Sequence, residues 1–155
     1  MLVKIVILNE FKTRVSRVYL IDTNVISECR KGIKANNGVK LFFYKAVENG
    51  DLLFLSVITL GELRRDIDLI RYRGDVKQAL LLERWFENLL VDYEAAVLDF
   101  GKDEAQLWGA LRVPYYENAI DIQISVIALT NDLTVVTRNI RDFEKTGLRL
   151  LNPFD

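Results

Sequence analysis

Carboxylate side chains stand at three widely separated points of the chain, each close to an apolar segment. Asp22 directly follows the apolar run Val18–Ile21, and Glu62 lies a few residues beyond a second run at 52–57. Asp121 is embedded in a third apolar segment. Carboxylates can act as general acids or bases, and when grouped together they bind hard divalent cations such as Mg²⁺.

The composition leaves few other chemistries open. The 155 residues include no histidine, which removes the commonest general base and the commonest transition-metal ligand. Cys29 is the only cysteine, so the chain cannot form an intramolecular disulfide or a cysteine-rich zinc site. Catalysis would therefore depend on carboxylates, and the lone thiol suits a cytoplasmic protein.

Each of these acids also has an ordinary structural explanation. Asp22 stands where a helix N-cap accepts bonds from backbone N–H groups. The tetrapeptide Thr59-Leu60-Gly61-Glu62 matches a capping box, and Asp121 near the start of a helix favours the helix dipole. The Asp121 helix, however, should turn its apolar residues towards the core, namely Ile120, Ile124, Ile127 and Ala128. An acid beside that stripe is harder to explain structurally.

Short apolar segments alternate with amphipathic ones along the chain. Strands are predicted at 18–21, 52–57, 95–98 and 133–136, with an optional fifth at 148–151. Helices are predicted at 25–30, 39–48, 59–71, 80–90, 103–112 and 119–129. The alternation indicates an α/β fold, a three-layer α/β/α sandwich around a central parallel sheet of four to five strands. In such sheets, binding sites gather at the carboxyl ends of the strands.

The polar residues of interest fall at that edge of the predicted sheet. Thr137, Asn139 and Asp142 follow the fourth strand as Asp22 follows the first, although Asn and Asp are also common in ordinary turns. Carboxylates brought close together raise one another's pKa unless a cation lies among them. Oxygen ligands select Mg²⁺ or Mn²⁺ over softer metals.

The chain has room for one domain, which we place at residues 17–155. Residues 1–16 are an N-terminal extension whose apolar start could be another strand or a frayed arm. That start is too short to span a membrane and has no cleavage-site pattern. Lys and Arg (21) balance Asp and Glu (22), so any nucleic-acid-binding surface must be local.

Four motifs resemble the PIN-domain nucleases, in particular the VapC-like toxins of bacterial toxin-antitoxin pairs. They are VYLIDTNVIS at 18–27, TLGEL at 59–63, Asp121 followed by Ile124 and Ala128, and VTRN at 136–139 leading into Asp142-Phe143. The resemblance covers about residues 17–152. Relatives often carry small Ala pairs where this chain has Ser125 and Val126, a departure that does not touch the acids.

The resemblance implies a role for each motif position. The implied acidic triad, which would also bind the metal, consists of Asp22, Glu62 and Asp121. Asn139 would take a fourth catalytic place, and Asp142 would be an outer contributor. Thr23 and Thr137 would hold the acids or the attacking water.

The resemblance further implies an endoribonuclease that uses Mg²⁺ or Mn²⁺ to activate water against RNA phosphodiesters. Such proteins are homodimeric toxins of type II systems, each silenced by a cognate antitoxin. Arg138 is the best candidate for binding the RNA backbone, because it adjoins Asn139. Other cations placed near this edge are Arg30, Lys31, Arg64, Arg65 and Arg141.

Other functions remain open at this stage. One is a non-catalytic PIN-like domain that binds RNA or an antitoxin, with Asn139 reflecting a weakened metal site. Another is a stand-alone RNA-processing nuclease. A phosphatase-like or response-regulator-like domain is not supported, because this sequence does not place a lysine and paired acids in the arrangement that such a domain would require. The amphipathic segment around Leu81, Trp85 and Phe86 is expected to belong to the core rather than to a dimer interface.

Overall fold

A five-stranded parallel sheet forms the centre of the computed structural model, which describes residues 16–114 and 119–154. The strands are β1 (Val18–Ile21), β2 (Leu52–Ser56), β3 (Val97–Leu98), β4 (Thr134–Val136) and β5 (Leu150–Leu151). Their order across the sheet is β3-β2-β1-β4-β5. The predicted parallel sheet is confirmed, with the optional fifth strand present. The extension predicted at residues 1–16 lies outside the described residues, apart from residue 16.

Helices cover both faces of this sheet. They are α1 (Thr23–Cys29), α2 (Asn37–Asn49), α3 (Val57–Tyr72), α4 (Val76–Asp92), α5 (Lys102–Leu111), α6 (Ala119–Thr130) and α7 (Ile140–Phe143). Within the described part of the chain, none of them is both long and apolar enough to cross a bilayer.

Successive residues of β1 point to opposite faces of the sheet, as the pleat of a strand requires. Ile21 joins a core cluster on the side of α1 to α4, where it is packed with Leu63 and other buried side chains. Leu20 joins a second cluster on the other side, together with Ile124 of α6 and Phe143 of α7. The three-layer arrangement is therefore confirmed.

The central strand β1 lies between β2 and β4, and its end is level with the end of β4. Ile21 pairs with Val136, and the backbone N–H of Asp22 donates to the Val136 carbonyl at 3.0 Å. The chain runs from β1 to β2 on one side, whereas β4 lies on the other. A parallel sheet binds ligands in the crevice that opens at such a switch point.

Helix α3 begins earlier than the sequence suggested, because β2 passes into it without a loop. Ser56, the last residue of β2, is the N-cap, and its Oγ accepts from the Thr59 N–H at 3.0 Å. Thr59 is buried inside the helix. The predicted capping box at residues 59–62 is therefore wrong, and Glu62 is free for another partner.

Replacing Ser56 by alanine should lower the free energy of unfolding by about 1 to 2 kcal/mol, because the Thr59 N–H loses its acceptor at a buried helix start. Urea denaturation measures the change. Ser16→Ala, at an exposed serine, should change the same quantity by less than about 0.5 kcal/mol. Similar small losses in both variants would contradict Ser56 as the cap.

Candidate metal-binding site at the carboxyl edge of the sheet

Asp22 directly follows β1, caps α1 and is almost completely buried, with 3% of the residue exposed. Its Oδ1 accepts from the Thr23 N–H at 2.7 Å. Its Oδ2 accepts from Asn24 Nδ2 and from Thr137 Oγ1, each at 2.7 Å. Burial raises the pKa of Asp22, and the three hydrogen bonds oppose that rise by stabilising the charged form. A residue that served only as the N-cap of α1 would account for only one of these three hydrogen bonds.

Glu62 lies in the second turn of α3 and faces Thr23. Thr23 Oγ1 donates to Glu62 Oε2 at 2.5 Å, and the backbone N–H of the same residue binds Asp22. One threonine therefore connects two of the predicted acids. Burial raises the pKa of the half-buried Glu62, an effect that the Thr23 bond opposes and the charges of Asp22 and Asp66 increase.

Asp121 lies in the first turn of α6 and is half-buried. Burial raises the pKa of Asp121 to about 6, and the charges of Asp22, Asp142 and Glu62 add to the rise. The N-cap carboxylate of α1 and the carboxylates of α3, α6 and α7 thus share one electrostatic neighbourhood.

The prediction for Ile120 is wrong, since 44% of this residue is exposed. The side chains of α6 become fully buried only from Ile124 onwards. The first turn of α6 therefore extends past the core, which is why Asp121 can reach the site while Ile120 reaches solvent. Ile127 and Ala128 are buried as expected.

The charge of Asp142 acts on two of the other acids, although the sequence suggested only an outer position for this residue. Its charge raises the pKa of both Asp22 and Asp121, although burial is the larger cause for each. Asn139 is exposed, and its side chain does not cap α7. Its backbone N–H donates to Thr137 Oγ1 at 3.0 Å. Asp142 is therefore a fourth acid of the cluster, and Asn139 lies at its rim.

The donor set fits a hard divalent cation in chemistry and in charge. The four acids offer only oxygen ligands, and no ion pair between described residues involves any of them. In residues 16–114 and 119–154, however, no three acidic or cysteine side chains lie close enough to hold a metal ion as they stand. A cation would have to draw the carboxylates together.

Arg138 lies at the edge of the acidic cluster. Its backbone N–H donates to Asn24 Oδ1 at 3.0 Å, and its guanidinium lies over the ring of Phe154, 5.0 Å from the ring centroid. The side chain is exposed, so it can reach a ligand in solution.

The other two predicted substrate-binding arginines lie elsewhere. Arg64 pairs with Glu83 at 2.7 Å and lies over the Phe86 ring of α4, because residue 64 is on the opposite side of α3 from Glu62. Arg30 is exposed and lines cavities between α1 and α4 rather than the acidic cluster. Neither is brought to the site.

Sequence reasoning missed Asn24, whose side chain binds both Asp22 and the segment after β4. A signal was available. An asparagine in the first turn of a helix, two residues after a buried acid, has its side chain directed at the same strand end.

The fold and the acidic cluster together define the class of protein. Residues 19–148 match the family model described as the PIN domain, and the chain belongs to the PIN domain family.

Individual relatives agree with this class. The chain is 34% identical over 141 residues to the plasmid stability protein StbB of Pseudomonas syringae pv. tomato, covering 88% of this chain and 98% of that protein. It is similar to the structure of FitAcB from Neisseria gonorrhoeae, with a TM-score of 0.72 and 28% identity over 87% of this chain and 97% of that one. It shares its fold with VapBC2 from Rickettsia felis bound to a promoter DNA fragment, with a TM-score of 0.65 and 21% identity over 87% and 98% of the two chains. The predicted resemblance to VapC-like proteins is confirmed.

The raised pKa of Asp121 predicts how the stability of the metal-free protein depends on pH. The pKa of an Asp in an unfolded chain is about 3.9, whereas burial raises the pKa of Asp121 to about 6 in the folded state. The folded state therefore keeps a proton that the unfolded state has released. The resulting stabilisation is fully present below about pH 4 and is lost as the pH rises through about 6.

Asp121→Asn should remove this dependence. In EDTA, the free energy of unfolding of the unmodified protein should fall relative to that of Asp121→Asn between about pH 4 and about pH 7, as measured by urea denaturation. Asp132→Asn, at an exposed residue on the opposite edge of the sheet, serves as the control. A difference between the unmodified protein and Asp121→Asn that does not vary with pH would contradict the shifted titration.

Proposed function

We propose that this protein is an endoribonuclease that requires Mg²⁺ or Mn²⁺ and is the toxin of a type II toxin-antitoxin pair. The observation that carries the proposal is the cluster of four carboxylates at the strand ends, which form no ion pair within the described residues. Burial and, to a lesser extent, the neighbouring acids raise the pKa of Asp22, Glu62 and Asp121. Charge left unbalanced in a crevice favours binding of a cation.

In this proposal, Asp22 and Asp121 hold the metal, and Glu62 and Asp142 complete its surroundings. A bound divalent cation supplies an activated water and stabilises the charge that develops on the phosphate. The chain's own side chains orient the acids: Thr137 donates to Asp22, and Thr23 donates to Glu62. The chain contains no histidine, so this proposal assigns to the half-buried Glu62 the role of accepting a proton from water.

Arg138 supplies the positive charge that the RNA backbone needs at the rim. Its guanidinium is exposed, and stacking on Phe154 limits the conformations that it must give up on binding. The preference for RNA over DNA rests on the PIN-domain resemblance.

An antitoxin is the expected protein partner, since the relatives include a plasmid stability protein and VapBC complexes. An acidic cluster without its metal favours an arginine side chain from such a partner. Apart from the cluster, Arg30 and Trp85 border two adjoining cavities of 180 and 320 Å³ between α1 and α4. Their apolar walls would accept the side chains of an antitoxin segment.

A homodimer in the cytoplasm completes the proposal. The segment around Leu81, Trp85 and Phe86 was expected to belong to the core, and Phe86 does so, with 4% exposed. The expectation for Leu81 is wrong, because this residue lies on the outer side of α4. Leu80 and Leu81 are 52% and 54% exposed. With Val76 they supply apolar surface that a second copy would cover.

A second candidate is a non-catalytic PIN-like domain that binds RNA or an antitoxin. One observation favours it: the carboxylates are not drawn together into a ready coordination shell. Mg²⁺-dependent cleavage separates the two candidates, because a binding domain would retain RNA without cutting it.

Asp22→Asn and Asp121→Asn should each lower the rate of Mg²⁺-dependent RNA cleavage by about 100-fold or more, since several kcal/mol of charge stabilisation are lost at about 1.4 kcal/mol per tenfold. Cleavage of a labelled RNA pool measures the rate. Asp132→Asn, an isosteric change at the opposite edge, should cleave as the unmodified protein does. Unchanged turnover in either site variant would refute the assignment.

Arg138→Ala should weaken RNA binding and lower the slope of log affinity against log salt by about 0.7 to 1, because one phosphate contact is lost. Binding is measured by fluorescence anisotropy in an Asp22→Asn background that does not cut the RNA. Arg149→Ala, whose guanidinium pairs with Asp132, is the charge-matched control. An equal salt slope for the two variants would exclude Arg138 from the interface.

A further inference from the structure

We infer that Asn24 is the positioning residue of the acidic site: its side-chain amide orients the Asp22 carboxylate towards the cation and ties it to the segment that carries Arg138. The inference rests on the proposed function, because the cation belongs to that proposal. Asn24 lies in the first turn of α1, between the ends of β1 and β4.

Three contacts fix the direction of the Asn24 amide. The Arg138 N–H is a donor and lies 3.0 Å from Asn24 Oδ1. Nδ2 therefore faces Asp22 Oδ2 at 2.7 Å and Thr137 Oγ1 at 3.2 Å. A flipped amide would place oxygen against the carboxylate and N–H₂ against the Arg138 N–H, so both contacts would become repulsive.

This arrangement determines which part of Asp22 is available to a ligand. A carboxylate has about four lone-pair positions. Oδ2 accepts two hydrogen bonds, from Asn24 and Thr137, and Oδ1 accepts one, from the Thr23 N–H. Among these contacts, the fourth position, on Oδ1, is the one left for a cation. Without Asn24, the carboxylate would keep one donor on each oxygen, and rotation about its last torsion would be less restricted.

The same amide connects the acid with the substrate-binding side. The Arg138 backbone is held by Asn24 Oδ1, and Asn139 is held through Thr137 Oγ1. Asn24 thus binds both a predicted metal ligand, Asp22, and the backbone of Arg138. Loss of Asn24 should therefore weaken cation binding and also loosen the segment that carries Arg138.

The test is a calorimetric titration of the full chain with Mg²⁺ or Mn²⁺ alone, without RNA. Asn24→Ala should bind the metal about 10- to 100-fold more weakly than the unmodified protein, the usual cost of losing a residue that orients a metal ligand. Asn131→Ala is the matched control, because its amide binds the Ile127 carbonyl and Thr130 at the far end of α6. It should bind the metal as the unmodified protein does.

Hydrogen exchange provides a readout that needs no metal. In Asn24→Ala, the Arg138 amide should exchange at least about tenfold faster, because it loses Asn24 Oδ1 as its acceptor, while exchange in β1 should be unchanged. A residue that only supports the fold would instead speed exchange in the core strands as well.

The outcomes separate the inference from the proposed function. Failure of the unmodified protein to bind metal would overturn both. Equal metal affinity in Asn24→Ala and the unmodified protein would overturn the inference alone. Should Asn24→Ala not fold, Asn24→Ser, which keeps a polar side chain, is measured in the same way. Failure of both variants to fold would make Asn24 a residue required for folding and would also overturn the inference.

Discussion

The burial of the Asp22 carboxylate is the constraint on which the site depends. A charged group removed from water is costly unless it receives hydrogen bonds. Asp22 obtains them from the first turn of α1 and from Thr137 beyond β4. These donors can meet only if β1 and β4 are neighbours that end at the same level, as the register of Ile21 with Val136 ensures. The sheet order is therefore what allows the Asp22 carboxylate to be buried with its donors.

An acid outside the site, Glu83, is paired with arginines, unlike the acids of the site. Glu83 on α4 is held by both Arg64 and Arg71 of α3, and these partners hold the pKa of Glu83 below its usual range. The chain thus pairs acids with arginines where it needs only stability. At the carboxyl edge of the sheet it buries acids beside one another, and burial together with the neighbouring negative charges raises the pKa of Asp121 and Glu62. Acids that oppose one another's ionisation are typical of functional sites.

Much of the fold and of the candidate site could be predicted from the sequence, because apolar runs that end in polar residues predict strands followed by turns. The parallel sheet, its layers and the convergence of Asp22, Glu62 and Asp121 followed from that pattern. The start of α3 did not follow, since a direct passage from β2 into the helix leaves no loop residues as a signal.

The errors at the site have a common cause. Which side of a helix faces a neighbour depends on packing between elements distant in sequence. Ile120 was expected inside and lies partly in solvent, and Arg64 was expected at the site and packs on α4. The electrostatic effect of Asp142 on Asp121 likewise depends on how α7 is oriented against α6. Spacing alone does not give that orientation.

The bond between Thr137 and Asp22 joins residues 115 positions apart. During synthesis on the ribosome, the carboxylate of Asp22 is made 115 residues before Thr137, the last of its donors. An unfinished chain therefore has the carboxylate without its complete hydrogen-bond set. The order of translation thus delays assembly of the site until the segment after β4 has been synthesised.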